Sequence, residues 1–375
     1  MSENTRWADL VGIAFEPLRE FLSAPNVVEI CVNEPGSLFI ETSDGGQHSP
    51  MVQHALPGLT RERIRFMAER IAAANHQFVN EEEPLLSAAL ANGARIQVAL
   101  PPAAPDGGVI VIRRQVVKNL ALSDYTTAGS LQSVQITAGT DALTDIEAEM
   151  CDLLGQGKIE TFLIAAVRQR ISILVSGGTG SGKTTFLNAL MREIPTHERL
   201  ITIEDTPELM PTQPNHVRLI SSRGDQNIAK IDSKRLVEAS MRMRPDRLLL
   251  GEIRGAESFD FLQAINTGHP GSLSTVHANS PRGAYERLAL LMIQDIGGGG
   301  TLTRADILQM LKSTLPLVVQ VARSDGQPGR VMELYYEPFV RARHAGRAGS
   351  RQPSDWCSTH ASGGDEFRTR NKSWA

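Results

Sequence analysis

Residues 171–185 read Ile-Ser-Ile-Leu-Val-Ser-Gly-Gly-Thr-Gly-Ser-Gly-Lys-Thr-Thr, a strand-length apolar run that gives way at once to glycines and then to Lys-Thr-Thr. Gly177, Gly182, Lys183 and Thr184 fill the fixed positions of the G-x-x-x-x-G-K-[ST] pattern. Gly177, Gly178, Gly180 and Gly182, with the small Thr179 and Ser181 between them, let successive backbone N–H groups turn inward around a polyphosphate without side-chain clash. A helix beginning near Lys183 aims its N-terminal N–H groups and the positive end of its dipole at the same anion. Lys183 adds a point charge for the β- and γ-phosphates. The Thr184 hydroxyl is placed to ligate Mg2+, with Thr185 next to it at the phosphates. Such a cradle needs a buried strand before it and a helix after it, so the segment predicts an α/β sheet built around a nucleotide.

The rest of the chain fits that demand. From residue 146 the pattern alternates between helix and strand. Helices are expected over 159–170, 186–193, 233–243, 257–266, 281–293 and 304–313, and strands over 171–175, 199–203, 216–220, 247–251 and 271–276. Alternation of this length predicts a mainly parallel sheet with helices on both faces. A last pair of strands, 317–321 and 331–335, is joined by Asp325-Gly326 and Pro328-Gly329 turns. Upstream, strands over 27–32 and 38–41 flank a hairpin turn at Asn33-Glu34-Pro35-Gly36. Thr60 caps a helix to residue 74, and strands follow at 95–100 and 109–113. The division expected is an N-terminal α/β domain over 1–118, a linker over 119–144, a nucleotide-binding domain over 145–339 and a disordered tail over 340–375, where apolar residues are few.

Composition bounds the environment. The net charge of −4 gives no global reason to bind nucleic acid, and no basic–aromatic interleaving appears, which argues against direct DNA binding or a helicase. Cys31, Cys151 and Cys357 are widely separated and form no C-x-x-C pair, as expected in a reducing cytoplasm without structural zinc. No apolar leader opens the chain and no window approaches a membrane span, so any membrane association is expected to be peripheral.

Open α/β sheets bind ligands at the carboxyl ends of their strands, and three polar clusters fall at such ends downstream of the loop. Glu204 and Asp205 follow Leu-Ile-Thr-Ile, Glu252 follows Leu-Leu-Leu-Gly, and His277 follows Ser-Leu-Ser-Thr-Val. Enzymes with this loop ordinarily hold Mg2+ through an Asp ending the Walker B strand; Gly251 stands there instead. That leaves Glu252 to orient or deprotonate the attacking water and to share the metal shell, Glu204 and Asp205 to compensate as carboxylates, and His277 to meet the γ-phosphate. Arg242, Arg244, Arg247 and Arg254 crowd the same strand, more cations than one triphosphate needs, and are expected either to face a neighbouring subunit or to pair with Glu204, Asp205 and Glu208.

Four strings carry a resemblance: Gly-Gly-Thr-Gly-Ser-Gly-Lys-Thr-Thr, Ile-Thr-Ile-Glu-Asp-Thr-Pro-Glu-Leu, Met-Arg-Met-Arg-Pro-Asp-Arg-Leu-Leu-Leu-Gly-Glu-Ile-Arg-Gly and Gly-His-Pro-Gly-Ser-Leu-Ser-Thr-Val-His-Ala-Asn-Ser. In order and spacing they resemble the nucleotide-site boxes of the bacterial secretion ATPases, which serve type II secretion, type IV pili and type IV secretion. The N-terminal strings Glu-Pro-Leu-Arg-Glu-Phe-Leu, Val-Glu-Ile-Cys-Val-Asn-Glu-Pro-Gly and Gly-Ala-Arg-Ile-Gln-Val-Ala-Leu-Pro-Pro resemble the type IV secretion branch. The resemblance implies a RecA-like P-loop domain behind a small α/β domain, ATP and Mg2+ as ligands, and a homohexameric ring. It also implies a place at the cytoplasmic face of the inner membrane beside secretion-channel components and other secretion ATPases. Glu204 and Asp205 match the family's Asp box, Glu252 its Walker B glutamate and 269–277 its His box. Arg95 and Arg113 match arginines that reach the phosphates from the N-terminal domain. Gly178 stands where many members have Glu, and Arg114-Gln115 replaces the usual Lys-Pro. A pilus or type II motor shares the four boxes and is the alternative; an ATP-dependent docking switch is a second.

Overall fold

The computed structural model describes residues 12–44, 47–90, 92–115, 121–132, 134, 142–222, 228–296, 302–324 and 327–347. Two sheets organise the chain. In the first, β1 (Val27–Glu34) and β2 (Ser37–Asp44) form the expected hairpin, with Gly36 at φ +88° in its turn. β1 also pairs antiparallel with β7 (Val109–Arg113), which pairs with β6 (Arg95–Ala99), which pairs with β5 (Leu85–Ala89). β3 (Gln47–His48) and β4 (Val52–Ala55) extend the β2 side. Strands β3, β4 and β5 were not expected: β4 is mostly exposed and β5 mixes small with apolar residues, so neither shows a clean alternation. After α1 (Arg19–Ser23), helix α2 (Arg61–Ala74) lays Ile64, Met67, Ala68 and Ile71 on this sheet, and the Thr60 hydroxyl accepts from Arg63 N as its cap.

A short helix α3 (Leu122–Thr127) lies inside the stretch expected to be plain linker, its Leu122 and Tyr125 exposed. Helix α4 (Asp145–Gly155) then opens on a capping box between Thr144 and Glu147. α5 (Ile159–Arg168) follows and leads into the second sheet. Its strands are β8 (Ile173–Gly177), β9 (Leu200–Glu204), β10 (His216–Ile220), β11 (Arg247–Leu250), β12 (Leu273–Val276), β13 (Leu317–Ser324) and β14 (Gln327–Tyr336), in the order β10-β9-β11-β12-β8-β13-β14. All pairs are parallel except the β13–β14 hairpin. The central strands are buried throughout, and alternate residues serve opposite faces: Ile201, Ile203, Leu248 and Leu250 join one core cluster, Ile173, Val175, Leu200 and Leu249 another. That two-sided burial is what a parallel sheet between helix layers requires.

The intervening helices are α6 (Lys183–Arg192), α7 (Ser233–Ser240), α8 (Glu257–Asn266), α9 (Pro281–Ile296) and α10 (Arg304–Thr314), and the chain continues as α11 (Glu337–Arg347). α11 therefore carries helix into the stretch expected to be disordered tail. Residues 348–375 lie outside the described residues.

The two sheets meet at the β9–β10 edge. Cys31, Phe39 and Val111 share a core cluster with Ile201, Val217 and Leu219, and Ile220 N donates to Ala103 O. Arg244 grips Glu41 with two hydrogen bonds at 2.7 and 2.8 Å, and the buried Arg199 guanidinium donates to Asn33 and Asn215. Arg114, the departure from Lys-Pro, donates to the carbonyls of Ala24 and Val27 and so anchors the chain leaving β7 to the start of β1.

Candidate active site

Four adjacent parallel strands, β9, β11, β12 and β8, end on the same edge, and each delivers its polar group there. β8 ends at Gly177. A Cβ on Gly177 would stand 2.4 Å from Ser181 Oγ and 2.6 Å from Val321 O, so only glycine lets the loop fold back against β13. Gly180 and Gly182 take φ of +69° and +84°, a region that costs other residues steric strain, and Gly182 is the N-cap of α6. α6 thus presents the free N–H groups of its first turn to the loop. Thr184 is half-buried in that turn, and Thr179 and Thr185 are exposed.

Lys183 is buried, and its Nζ donates to Gly178 O at 2.9 Å, turned back onto the loop it is expected to serve; Nζ also stands 3.5 Å from His277 Nδ1. Burial lowers the Lys183 ammonium below its ordinary value, with Glu252 opposing. His277 Nε2 lies 3.2 Å from Glu252 Oε1, and Arg254 Nη2 donates to Glu252 Oε2 at 2.6 Å while its Nη1 meets Asp205 Oδ2 at 3.1 Å. A continuous polar chain therefore runs from Gly178 through Lys183, His277, Glu252 and Arg254 to Asp205. Burial alone would raise the Glu252 carboxyl, but Arg254, His277 and Lys183 together hold it below the ordinary carboxylate value, in the ionised form a general base needs.

Glu204 plays a different part. Its Oε1 accepts from Glu208 N and Leu209 N at 2.9 and 2.7 Å, and among the described residues its buried Oε2 has no hydrogen-bond partner. Burial raises this carboxyl, against those two backbone bonds. Gly251 explains the altered Walker B end: a Cβ there would press on Glu204 Cγ at 3.3 Å, so the missing Asp leaves room for the carboxylate of the neighbouring strand. A divalent cation such as Mg2+ takes hard oxygen donors. Thr184, Glu204, Asp205 and Glu252 offer only those, and the orphaned Glu204 Oε2 is the kind of atom that a cation or its water satisfies. Among the described residues no three His, Cys, Asp or Glu side chains form a closed metal cluster. The donor set suits an ion that brings phosphate and water ligands with it.

The crowd of arginines resolves inside the chain. Arg247 is fully buried on Glu198, Arg244 holds Glu41 and Asp246, and Arg254 spans Glu252 and Asp205; Arg242 donates to Glu238 O. His269, at the start of the His box, has its Nδ1 3.0 Å from Pro245 O, and burial lowers its imidazole. The structure does not bring Arg95 and Arg113 to the loop. They are register partners on β6 and β7, both exposed, and the Arg113 Nε stands 3.8 Å from Glu29 of β1.

Sequence reasoning missed one neighbour of the loop. Gly329, read only as a turn residue, lies directly on it: a Cβ at 329 would stand 2.0 Å from Ser181 O. The contact joins segments far apart in the chain, and the glycine in Pro328-Gly329 is the only local trace of it. A cavity of about 770 Å³ between α4, α10 and α11, lined by Ile146, Leu308, Lys312, Tyr336 and Arg341 among others, contains no residue of this site.

Comparison with known proteins agrees with this geometry. A family model described as "Type II/IV secretion system protein" matches residues 147–354. The "Type IV secretion system protein VirB11" of Bartonella quintana is 36% identical over 340 residues, covering 88% of this chain and 94% of that protein. PtlH of Bordetella pertussis, also a type IV secretion system protein, is 34% identical over 336 residues, covering 88% and 96%. Among solved structures, the crystal structure of the VirB11 ATPase from the Brucella suis type IV secretion system in complex with sulphate superposes with a TM-score of 0.82 at 35% identity, over 91% of this chain and 99% of that one.

Proposed function

Because the chain belongs to the type II/IV secretion system protein family, and within it to the ATPases of type IV secretion, we propose that it hydrolyses MgATP at residues 177–185 to drive transport of DNA or protein, or pilus assembly. The observation that carries this reading is the unbroken polar chain from Lys183 to Asp205. A protein that merely binds a nucleotide needs the loop alone, whereas positioned carboxylates and a histidine beyond it are what hydrolysis uses.

In this reading Lys183 and the α6 N-terminus hold the β- and γ-phosphates, and the Thr184 hydroxyl binds the metal. Glu204 and Asp205 complete the metal's oxygen shell, directly or through water. Glu252 takes the proton of the attacking water and shares the metal shell, and His277 hydrogen-bonds the γ-phosphate. Arg95 and Arg113 neutralise phosphate when the N-terminal sheet closes over a bound nucleotide, either their own or that of an adjoining subunit in a homohexamer. Closing and opening of the two sheets across the β9–β10 edge is the motion that hydrolysis would drive. Among the described residues no helix is long and apolar enough to cross a membrane, which is compatible with peripheral attachment at the cytoplasmic face of the inner membrane beside the other secretion components.

The test is Lys183→Ala. It should abolish steady-state release of phosphate while circular dichroism and the melting temperature stay near those of the unaltered protein. Retained turnover would sink the assignment.

A further inference from the structure

Arg254 stands apart from the other arginines that flank β11. Arg247 and Arg244 spend their charge on Glu198 and Glu41, away from the loop edge. Arg254 lies across the site itself. Its two arms reach two different carboxylates, Asp205 at 3.1 Å and Glu252 at 2.6 Å, and at 43% exposure it covers groups that are only 24% and 16% exposed. Its backbone is held: Arg254 N and Gly255 N both donate to Glu257 Oε1. The side chain can therefore swing while its origin stays fixed. The other Glu252 oxygen meets His277, and Asp205 also takes the Ser221 hydroxyl at 2.6 Å. Carboxylates brought together repel unless a cation lies between them, and here that cation is a guanidinium.

We propose that Arg254 is a placeholder for the divalent cation: it occupies the space between Asp205 and Glu252 in the nucleotide-free protein and yields it only when metal and nucleotide arrive together. The proposal rests on the reading above, in which those carboxylates serve the metal. A free divalent ion must break two charge-assisted hydrogen bonds and leave the guanidinium without an acceptor. A metal–nucleotide complex brings phosphate oxygens that can accept the displaced guanidinium, so the exchange costs far less. Metal binding becomes conditional on nucleotide. Because the pair is part-exposed, the latch is weak enough to open in every cycle.

The experiment measures Mn2+ binding by electron paramagnetic resonance, on the full chain, without nucleotide and with ADP. Without nucleotide, Arg254→Gln should bind Mn2+ roughly ten-fold more tightly than the unaltered protein, the scale expected from removing one part-exposed cation shared by two carboxylates. Arg254→Lys, which keeps a charge there, should stay near the unaltered value. Adding Glu252→Gln to Arg254→Gln should abolish the gain. With ADP present, Arg254→Gln and the unaltered protein should bind Mn2+ within a few-fold of each other. Unchanged Mn2+ affinity in nucleotide-free Arg254→Gln, or a gain that survives the added Glu252→Gln, overturns the placeholder. If Glu252→Gln and Asp205→Asn, each in the unaltered background, leave Mn2+ binding with ADP untouched, then the carboxylates do not serve the metal and the parent reading fails with it. If those two variants weaken that binding while Arg254→Gln changes nothing, the placeholder alone is wrong.

Discussion

Arg247→Met probes the ion pair beneath the Walker B strand. Arg247 is 0% exposed and Glu198 only 4%. The guanidinium donates to Glu198 from Nε at 2.6 Å and from Nη2 at 2.8 Å, and from Nη1 to Val167 O at 2.7 Å and Gly271 O at 3.3 Å. Methionine keeps much of the stem's apolar volume and removes the charge. What remains is a buried carboxylate with, among the described residues, one cationic neighbour, Arg170, at 3.1 Å and 37% exposed. Removing one partner of a buried pair costs about 3–5 kcal/mol, chiefly through the stranded charge. Of the two carbonyls that lose a donor, Val167 O keeps Arg170 N at 3.2 Å, Gly271 O left unsatisfied costs about 1–3 kcal/mol, and the Arg170 guanidinium offsets part of the sum. The net expectation is a loss of about 3–4 kcal/mol. Most of it belongs to the Glu198 charge, so the double variant Glu198→Gln/Arg247→Met should recover about 2 kcal/mol or more relative to Arg247→Met alone. Urea denaturation followed by far-UV circular dichroism, run on both single variants and the double, gives the cycle. A loss under about 1 kcal/mol for Arg247→Met, or a double variant no more stable than Arg247→Met, would refute the claim that a stranded charge dominates.

Other perturbations reach the remaining parts of the molecule. Burial pushes the Glu29 carboxyl up to about 7, with Arg113, Arg244 and Arg199 opposing. The fold therefore favours the protonated acid, and this contribution is present below the ordinary value of 4.5 and lost as pH rises to about 7. Glu29→Gln should accordingly be more stable than the unaltered protein at pH 8, by up to about 3 kcal/mol, and close to it at pH 4.5; equal melting temperatures at pH 8 would rule this out. Gly329→Ala places a methyl group within 2.0 Å of Ser181 O and must push the loop or the hairpin aside, so nucleotide affinity should drop at least about ten-fold in a fluorescent-nucleotide titration, alongside a loss of about 1–3 kcal/mol in stability; unchanged affinity would show that the loop tolerates the shift. If the ring reading holds, light scattering should show hexamers promoted by ATP and Mg2+, with specific activity rising through the assembly range, and a fully active monomer would contradict it.

Local chemistry was enough for much of this site. A strand, four glycines at fixed spacing and a Lys-Thr pair admit few arrangements, because only a left-handed loop feeding a helix N-terminus lets those residues share an anion. The same reasoning placed Glu204, Asp205, Glu252 and His277 at strand ends, since parallel strands between helices all point one way, and the adjacent strands β9, β11, β12 and β8 do so. Strands β3, β4 and β5 escaped notice because their stability comes from pairing with β2 and β6 rather than from their own pattern. Which arginine meets which acid was also beyond the sequence. Arg244, Arg247 and Arg254 are alike in the chain, yet they pair with Glu41, Glu198 and the Asp205–Glu252 pair, because each meets the acid that the packing of distant segments brings beside it. Gly329 against Ser181 and Gly251 against Glu204 belong to the same class. Residues distant in sequence became neighbours only when the sheet closed, and no local preference records what a missing Cβ leaves room for.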